Sequence, residues 1–408
     1  MENTRVTIEN ERVLSQSKRR SIYFLVFIVP FLMGLGIDLY VPSLPEIVGY
    51  FHTETSLVQL TVSLYMLGYG VGQVVLGVLS DSFGRRKVLL ISAVFFSIIS
   101  FVCIYSRNLI ILEISRLLQG ICVAGLAVVA RAMIVDVFSG VELAKATNYF
   151  TLSWSLGPII APFIGGNLAN NFGWKSDFYL FSIYGLFIFI YAFIKFDETN
   201  KNLVSFSIST TISSLREILT SPLFMIITTL SALGYGVIVL FNAVGPFLIE
   251  VVLKYSVAQY GNIAMVLGLA YCFGATMNRF VITKFNTKLL LRFGLITDLL
   301  GSLLMVLLSF TLNMNLYVIL VPVFIIFFFI GFIVPNALAQ TMALFSNVAG
   351  TASSVFGTLT GIIVFLITMF GSSLKINSQI PLAITYLALF IISIILFYIS
   401  SRLESKSN

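Results

Sequence analysis

A chain of 408 residues that is 58% hydrophobic and only 10% charged has too little polar surface for a soluble globular protein, so a membrane-embedded one is indicated. The net charge of +7 does not point to nucleic acid, because the cations lie in short segments between apolar runs, where orientation in a bilayer accounts for them. One histidine and three scattered cysteines, Cys103, Cys122 and Cys272, give no metal-ligand spacing, histidine-based triad or disulfide framework.

Residues 1–20 are polar and end in Lys18-Arg19-Arg20. The apolar run that follows is too long for a signal-peptide core and lacks a small-residue cleavage pattern, so it reads as an uncleaved first span behind a cytoplasmic tail. A crossing needs about 20 apolar residues, and on that ruler spans are expected at 21–45, 57–79, 88–106, 109–134, 144–169 and 176–195. A polar stretch at 196–221, holding Asp197, Glu198, Lys201, Arg216 and Glu217, then divides the chain. Six more spans are expected at 222–248, 258–282, 288–311, 314–340, 347–373 and 381–401, with a short tail at 402–408. With both termini inside, external loops hold only Arg107, Lys175, Lys254 and Lys375, which satisfies the preference of Lys and Arg for the cytoplasmic side.

Five stretches carry chemistry. Asp38, in Gly34-Leu35-Gly36-Ile37-Asp38-Leu39-Tyr40-Val41-Pro42, falls inside the first span. An ionisable group there is costly and a functional candidate by default, here one that takes and loses a proton; the other reading is a structural carboxylate paired with a cation. Arg116 in the fourth span lies at a matching depth and is the expected partner of Asp38, while Glu113, three residues earlier, is a second candidate to pair with that arginine. The fifth span holds Gly157, Pro158, Pro162, Gly165 and Gly166, a combination that kinks a helix and admits close neighbours, hence a hinge. The stretch Gly77-Val78-Leu79-Ser80-Asp81-Ser82-Phe83-Gly84-Arg85-Arg86-Lys87 reads as a tight cytoplasmic loop in which Asp81 pairs with Arg85. Asp298 and Arg292 in the ninth span read first as a buried structural pair, with a second proton site or contacts facing the cytoplasmic half-channel as the alternatives.

The order G-x-L-x-D-x-x-G-R-R-K resembles the signature loop between helices 2 and 3 of the major facilitator superfamily. Arg116-Leu117-Leu118-Gln119-Gly120 resembles its fourth-helix R-x-x-Q-G motif, and Gly157 to Gly166 its antiporter motif, with Ala161-Pro162 standing at one usual glycine position. Phe196-Asp197-Glu198-Thr199, Val334-Pro335-Asn336-Ala337 and Asp38-Leu39-Tyr40-Val41-Pro42-Ser43-Leu44-Pro45 bring the chain nearest to the drug:proton antiporters of the bicyclomycin and chloramphenicol resistance branch. In the second half, Gly274, Arg279, Lys284 and Lys288 echo the loop faintly, without its aspartate.

The resemblance implies an all-α membrane protein, twelve transmembrane helices in two six-helix bundles, 21–195 and 222–401, joined by a cytoplasmic linker at 196–221. The residues expected to couple protons are Asp38, Arg116 and Glu113, and the resemblance implies a cytoplasmic gate of Gly77, Asp81, Gly84, Arg85 and Asp136. The expected activity is export of small lipophilic compounds by proton antiport with alternating access. Alternatives are an exporter of one metabolite or siderophore, or a nutrient-importing symporter, which the hinge argues against. Tyr65, Asn148, Trp154, Tyr235 and Asn242 are candidates to line the substrate cavity. No nucleophile–base pair or nucleotide loop marks an enzyme or an ATP-driven pump. The expected partners are a small-molecule substrate, protons and lipid, with no nucleic acid, no metal and no cofactor beyond the proton gradient. The expected setting is a monomer crossing the inner (cytoplasmic) membrane many times.

Overall fold

The computed structural model describes residues 16–200, 215–345 and 349–407. The first fifteen residues of the expected tail and positions 201–214 of the expected linker lie outside them. Among the described residues every regular element is helical. Helix α1 is Gln16–Asp38, and after a 3-10 turn at Val41–Ser43 comes the short α2, Leu44–Phe51. Then follow α3 (Thr55–Phe83), α4 (Arg85–Ile104), α5 (Leu109–Val137), α6 (Gly140–Phe172) and α7 (Lys175–Lys195). The second half comprises α8 (Pro222–Pro246), prolonged by a π-helical turn at Phe247–Val252, α9 (Val257–Val281), α10 (Thr287–Thr311), α11 (Leu316–Leu344), α12 (Ala349–Ser372) and α13 (Ile380–Ser407).

Eleven helical segments among the described residues are long and apolar enough to cross a bilayer, with α1 and α2 counted as one, Arg19–Phe51. The 33-residue α6 is not one of the eleven, but it packs along α1 and α9 in the middle of the others.

Two boundaries differ from the sequence reading for local reasons. The first span does not run unbroken to residue 45. Pro42 has no N–H to give the Asp38 carbonyl, and the Tyr40 N–H turns to Ile37 O at 3.1 Å, so α1 ends at Asp38. Nor is Gly77 to Lys87 a loop. Helix α3 continues to Phe83 and α4 begins at Arg85, leaving Gly84 alone between them at φ 97°, a conformation open to glycine. Gly77 is therefore a helical residue of α3.

Within the first half α3 packs on α5, α1 on α6 and α4 on α7; within the second α10 packs on α11, α9 on α11 and α12 on α8. Two long seams, α3 against α12 and α6 against α9, join the halves. Lipid gives helices no hydrophobic reason to associate, so close van der Waals approach must supply the attraction, and small residues mark these seams. A Cβ on Gly70 would stand 3.0 Å from the Gly361 Cα, and one on Gly166 would stand 3.1 Å from the Gly261 Cα.

Candidate functional site

The break after α1 sets up the site. Asp38, the last residue of that helix, is 9% exposed and lies across from α8, where the Asn242 Nδ2 donates to its Oδ1 at 2.6 Å. One hydrogen bond thus joins the first half to the second at the carboxyl singled out from sequence. Both residues open onto a central cavity, also lined by Trp154, Pro158 and Pro162 of α6 and by Tyr235 of α8, with empty space of about 600 Å³ including its mouth. Phe241, Tyr271 and Phe327 complete an aromatic wall that sequence reasoning missed, since one phenylalanine among 38 carries no mark of facing a cavity.

Three of the five expected lining residues, Trp154, Tyr235 and Asn242, are at the cavity. The other two are elsewhere. Tyr65 is buried beside Arg116, and Asn148 is exposed on α6.

Arg116 does not pair with Asp38. It is fully buried, its Nη2 donating to the Gly36 carbonyl and its Nη1 to Gln119 Oε1, both at 3.1 Å. The reason lies in the helix end. With the Tyr40 N–H diverted to Ile37, the Gly36 carbonyl has lost its usual donor, and the guanidinium takes that place at the negative end of α1. The rings of Tyr40 and Tyr65 flank it at 4.6 and 4.3 Å, faces that suit a buried planar cation. Gln119 is held in turn by Ser100, to whose Oγ its Nε2 donates at 2.8 Å. R-x-x-Q-G therefore serves as a cap on the broken helix. Glu113 is only half buried and forms none of the ion pairs among the described residues, so its pairing with Arg116 is also absent.

Each expected hinge residue sits at a crossing. Gly157 meets Gly34 of α1, Gly165 lies against the Leu39 carbonyl just past Asp38, and Gly166 meets Gly261 of α9. The Pro158 and Pro162 carbonyls lie against Gly268 and Gly261. Because α6 is continuous through both prolines, it wraps the cavity as one helix with its small residues turned to α1 and α9.

On the other side of the molecule Arg85 pairs with Asp81 and reaches Asp136 at 3.2 Å, and its Nη1 donates to the Ser80 Oγ at 2.7 Å. Gly77 faces the Ser354 side chain of α12. The expected gate residues are thus together, joined by partners not assigned from sequence. The Glu198 carboxylate accepts from the Arg85 and Arg86 amides at 2.9 and 3.1 Å, capping the positive end of α4 from beyond α7. The Arg86 side chain caps α7 in exchange, donating to the carbonyls of Phe196 at 2.6 Å and Phe193 at 2.8 Å. Thr199 donates to Asp136 Oδ2 at 3.1 Å. The Phe196 to Thr199 motif was the available signal. Across the halves, Arg131 holds Gln73 of its own half and donates to Ser353 of α12 at 3.1 Å.

Asp298 and Arg292 do not pair. Asp298 is fully buried with neither carboxyl oxygen engaged, whereas Arg292, six residues along the helix, is on an exposed face. A spacing of six turns two side chains about 120° apart around a helix, onto different faces.

Residues 26–368 match the family model described as Major Facilitator Superfamily. A bicyclomycin resistance protein homolog of Haemophilus influenzae is 26% identical over 97% of this chain and 100% of its own length. The uncharacterized MFS-type transporter YdgK of Bacillus subtilis is 28% identical over 84% of this chain and 86% of its own length. Among solved structures, a D-xylose-proton symporter superposes with a TM-score of 0.77 at 16% identity, over 93% of this chain and 97% of that one, a likeness of fold alone.

Proposed function

The chain belongs to the Major Facilitator Superfamily, a membrane transporter rather than an enzyme, and on that premise we propose that it exports small lipophilic compounds, drugs among them, in exchange for protons. The observation that carries this reading is the Asp38 to Asn242 hydrogen bond, which puts an ionisable carboxyl at the cavity and at the meeting of the two halves at once. In this reading twelve helices cross the inner membrane, α6 among them, both termini are cytoplasmic, and the monomer works alone. Substrate reaches the aromatic cavity from the cytoplasm or the inner leaflet. A proton arriving on Asp38 from outside removes its charge, weakens its hold on Asn242 and favours release. The Asp81, Arg85 and Asp136 cluster is the cytoplasmic latch, and the glycine crossings of α6 and α9 let the halves rock. Similarity to a bicyclomycin resistance homolog supports the drug class, and the apolar aromatic wall suits it.

Everted membrane vesicles with an imposed proton gradient test this. Compounds such as chloramphenicol are added to wild-type and Asp38→Asn vesicles, and dissipation of the gradient in the wild type alone is expected. Equal responses in both would remove Asp38 from the proton path.

A further inference from the structure

The bond between Asp38 and Asn242 has a neighbour. Gln59, in the second turn of α3 at the end opposite the Arg85 cluster, is fully buried, and its Nε2 donates to the Ala243 carbonyl of α8 at 2.8 Å. Two side chains of the first half, one from α1 and one from α3, thus reach consecutive residues of the second.

The reason again lies in a helix interrupted by proline. Pro246 has no N–H for the Asn242 carbonyl, and the Phe247 N–H, the ordinary donor to Ala243, turns to the Val244 carbonyl as the π-helical turn begins. The Ala243 carbonyl, on a fully buried residue, has lost its usual donor, and Gln59 takes that place. Arg116 does the same for the Gly36 carbonyl, but from within its own half. Gln59 does so across the seam, and only while the outer ends are together. Its Oε1 is enclosed without a partner, so closing the seam leaves one end of the amide dry while the other is engaged. The net hold is then small, as a contact that must open and close in every cycle requires.

We propose that Gln59 is a positioning residue for the exchange at Asp38. By capping Ala243 it holds α8 in the register at which Asn242 meets Asp38, so that closure of the outer side answers to the charge on Asp38. The inference rests on the reading that the halves rock about Asp38. With Gln59 in place the two bonds close the outer side together, and a proton on Asp38 weakens one of them and leaves the other insufficient. Without Gln59 the Asp38 bond holds α8 by itself, and the outer side opens while Asp38 is still ionised, which lets substrate leave with no proton taken.

Spin labels on the outer ends of α6 and α9, away from both bonds, test this in purified full-length protein in lipid nanodiscs over a series of pH values. In the wild type the separated population is expected to rise as pH falls, and Asp38→Asn to remove that response. Gln59→Leu should raise the separated population at alkaline pH by about five-fold or more, the scale for leaving one buried carbonyl unpaired. Gln59→Glu keeps the size of the side chain but can donate to Ala243 only when protonated. In the Asp38→Asn background, its separated population should therefore fall as pH falls, opposite in sign to the wild type, and that return shows that the variant is folded. Wild-type distances in Gln59→Leu, or indifference to pH of Gln59→Glu in the Asp38→Asn background, overturn the proposal while leaving the rocking about Asp38 standing. Wild-type distances that respond neither to pH nor to Asp38→Asn overturn the antiport reading and this proposal with it.

Discussion

The Asp38 carboxyl and the Asn242 amide meet across the seam at 2.6 Å, so the first half ends its opening helix on a side chain of the second. A hydrogen bond to an ionised group contributes about 1.5–3 kcal/mol, and this one exists only while the halves are together there. Asn242→Ala is expected to shift the population toward separated outer ends by roughly ten-fold or more. Spin labels on the outer ends of α3 and α8 read that shift by distance. An unaltered distribution would mean that the bond does not hold the seam.

Arg116 is expected to matter as a cap before it matters as a charge. Arg116→Lys keeps the cation but cannot donate to the Gly36 carbonyl and Gln119 while lying flat between two rings. Thermal unfolding in detergent is expected to show Arg116→Lys losing on the order of 2 kcal/mol or more, the scale for an unsatisfied buried group. If Arg116→Lys unfolds like the wild type, the helix-capping role is wrong.

Glu198 is expected to hold the start of α4. Loss of a cap costs about 0.5–2 kcal/mol, so Glu198→Ala should speed hydrogen exchange at the Arg85 and Arg86 amides by roughly 2- to 30-fold. Exchange at the start of α9, whose Ser256 and Gln259 form an independent capping box, should not change. Equal exchange at Arg85 in both proteins would count against the cap.

The two signature glycines are expected to differ. A Cβ at Gly77 finds its nearest neighbour at 3.4 Å, whereas at Gly84 it would meet the Glu198 carboxylate at a φ of 97°. Gly77→Ala should therefore fold as well as the wild type, and Gly84→Ala should lose about 1–3 kcal/mol from the positive-φ backbone alone. Comparing the melting of the two variants decides the point, and equal stability would contradict it.

Sequence reasoning did well where the bilayer imposes a ruler. Charge and apolar length placed α8 to α10 within a few residues of their observed ends, because a crossing must satisfy its backbone internally and so cannot stop short. Asp38 was found because a carboxyl is conspicuous among apolar neighbours. Its partner was not, because depth says nothing about which way a side chain points. Arg116 and Asp38 share a level, but the break at Pro42 turned the carboxyl toward α8 and left the arginine a bare carbonyl. Glu198 shows the same limit. Its motif was visible at the end of α7, but only folding brings that end to the start of α4.

Gly84 has a consequence for how force travels. With one residue between α3 and α4, the chain has no slack there, and Glu198 and Arg86 tie the end of α7 to the same corner. A swing of the inner end of α3 away from α12 must then drag α4 and α7 with it, as a crank turns the arms keyed to its shaft. The corner therefore couples three helices into one unit, so that a displacement of any one of them is felt by the other two.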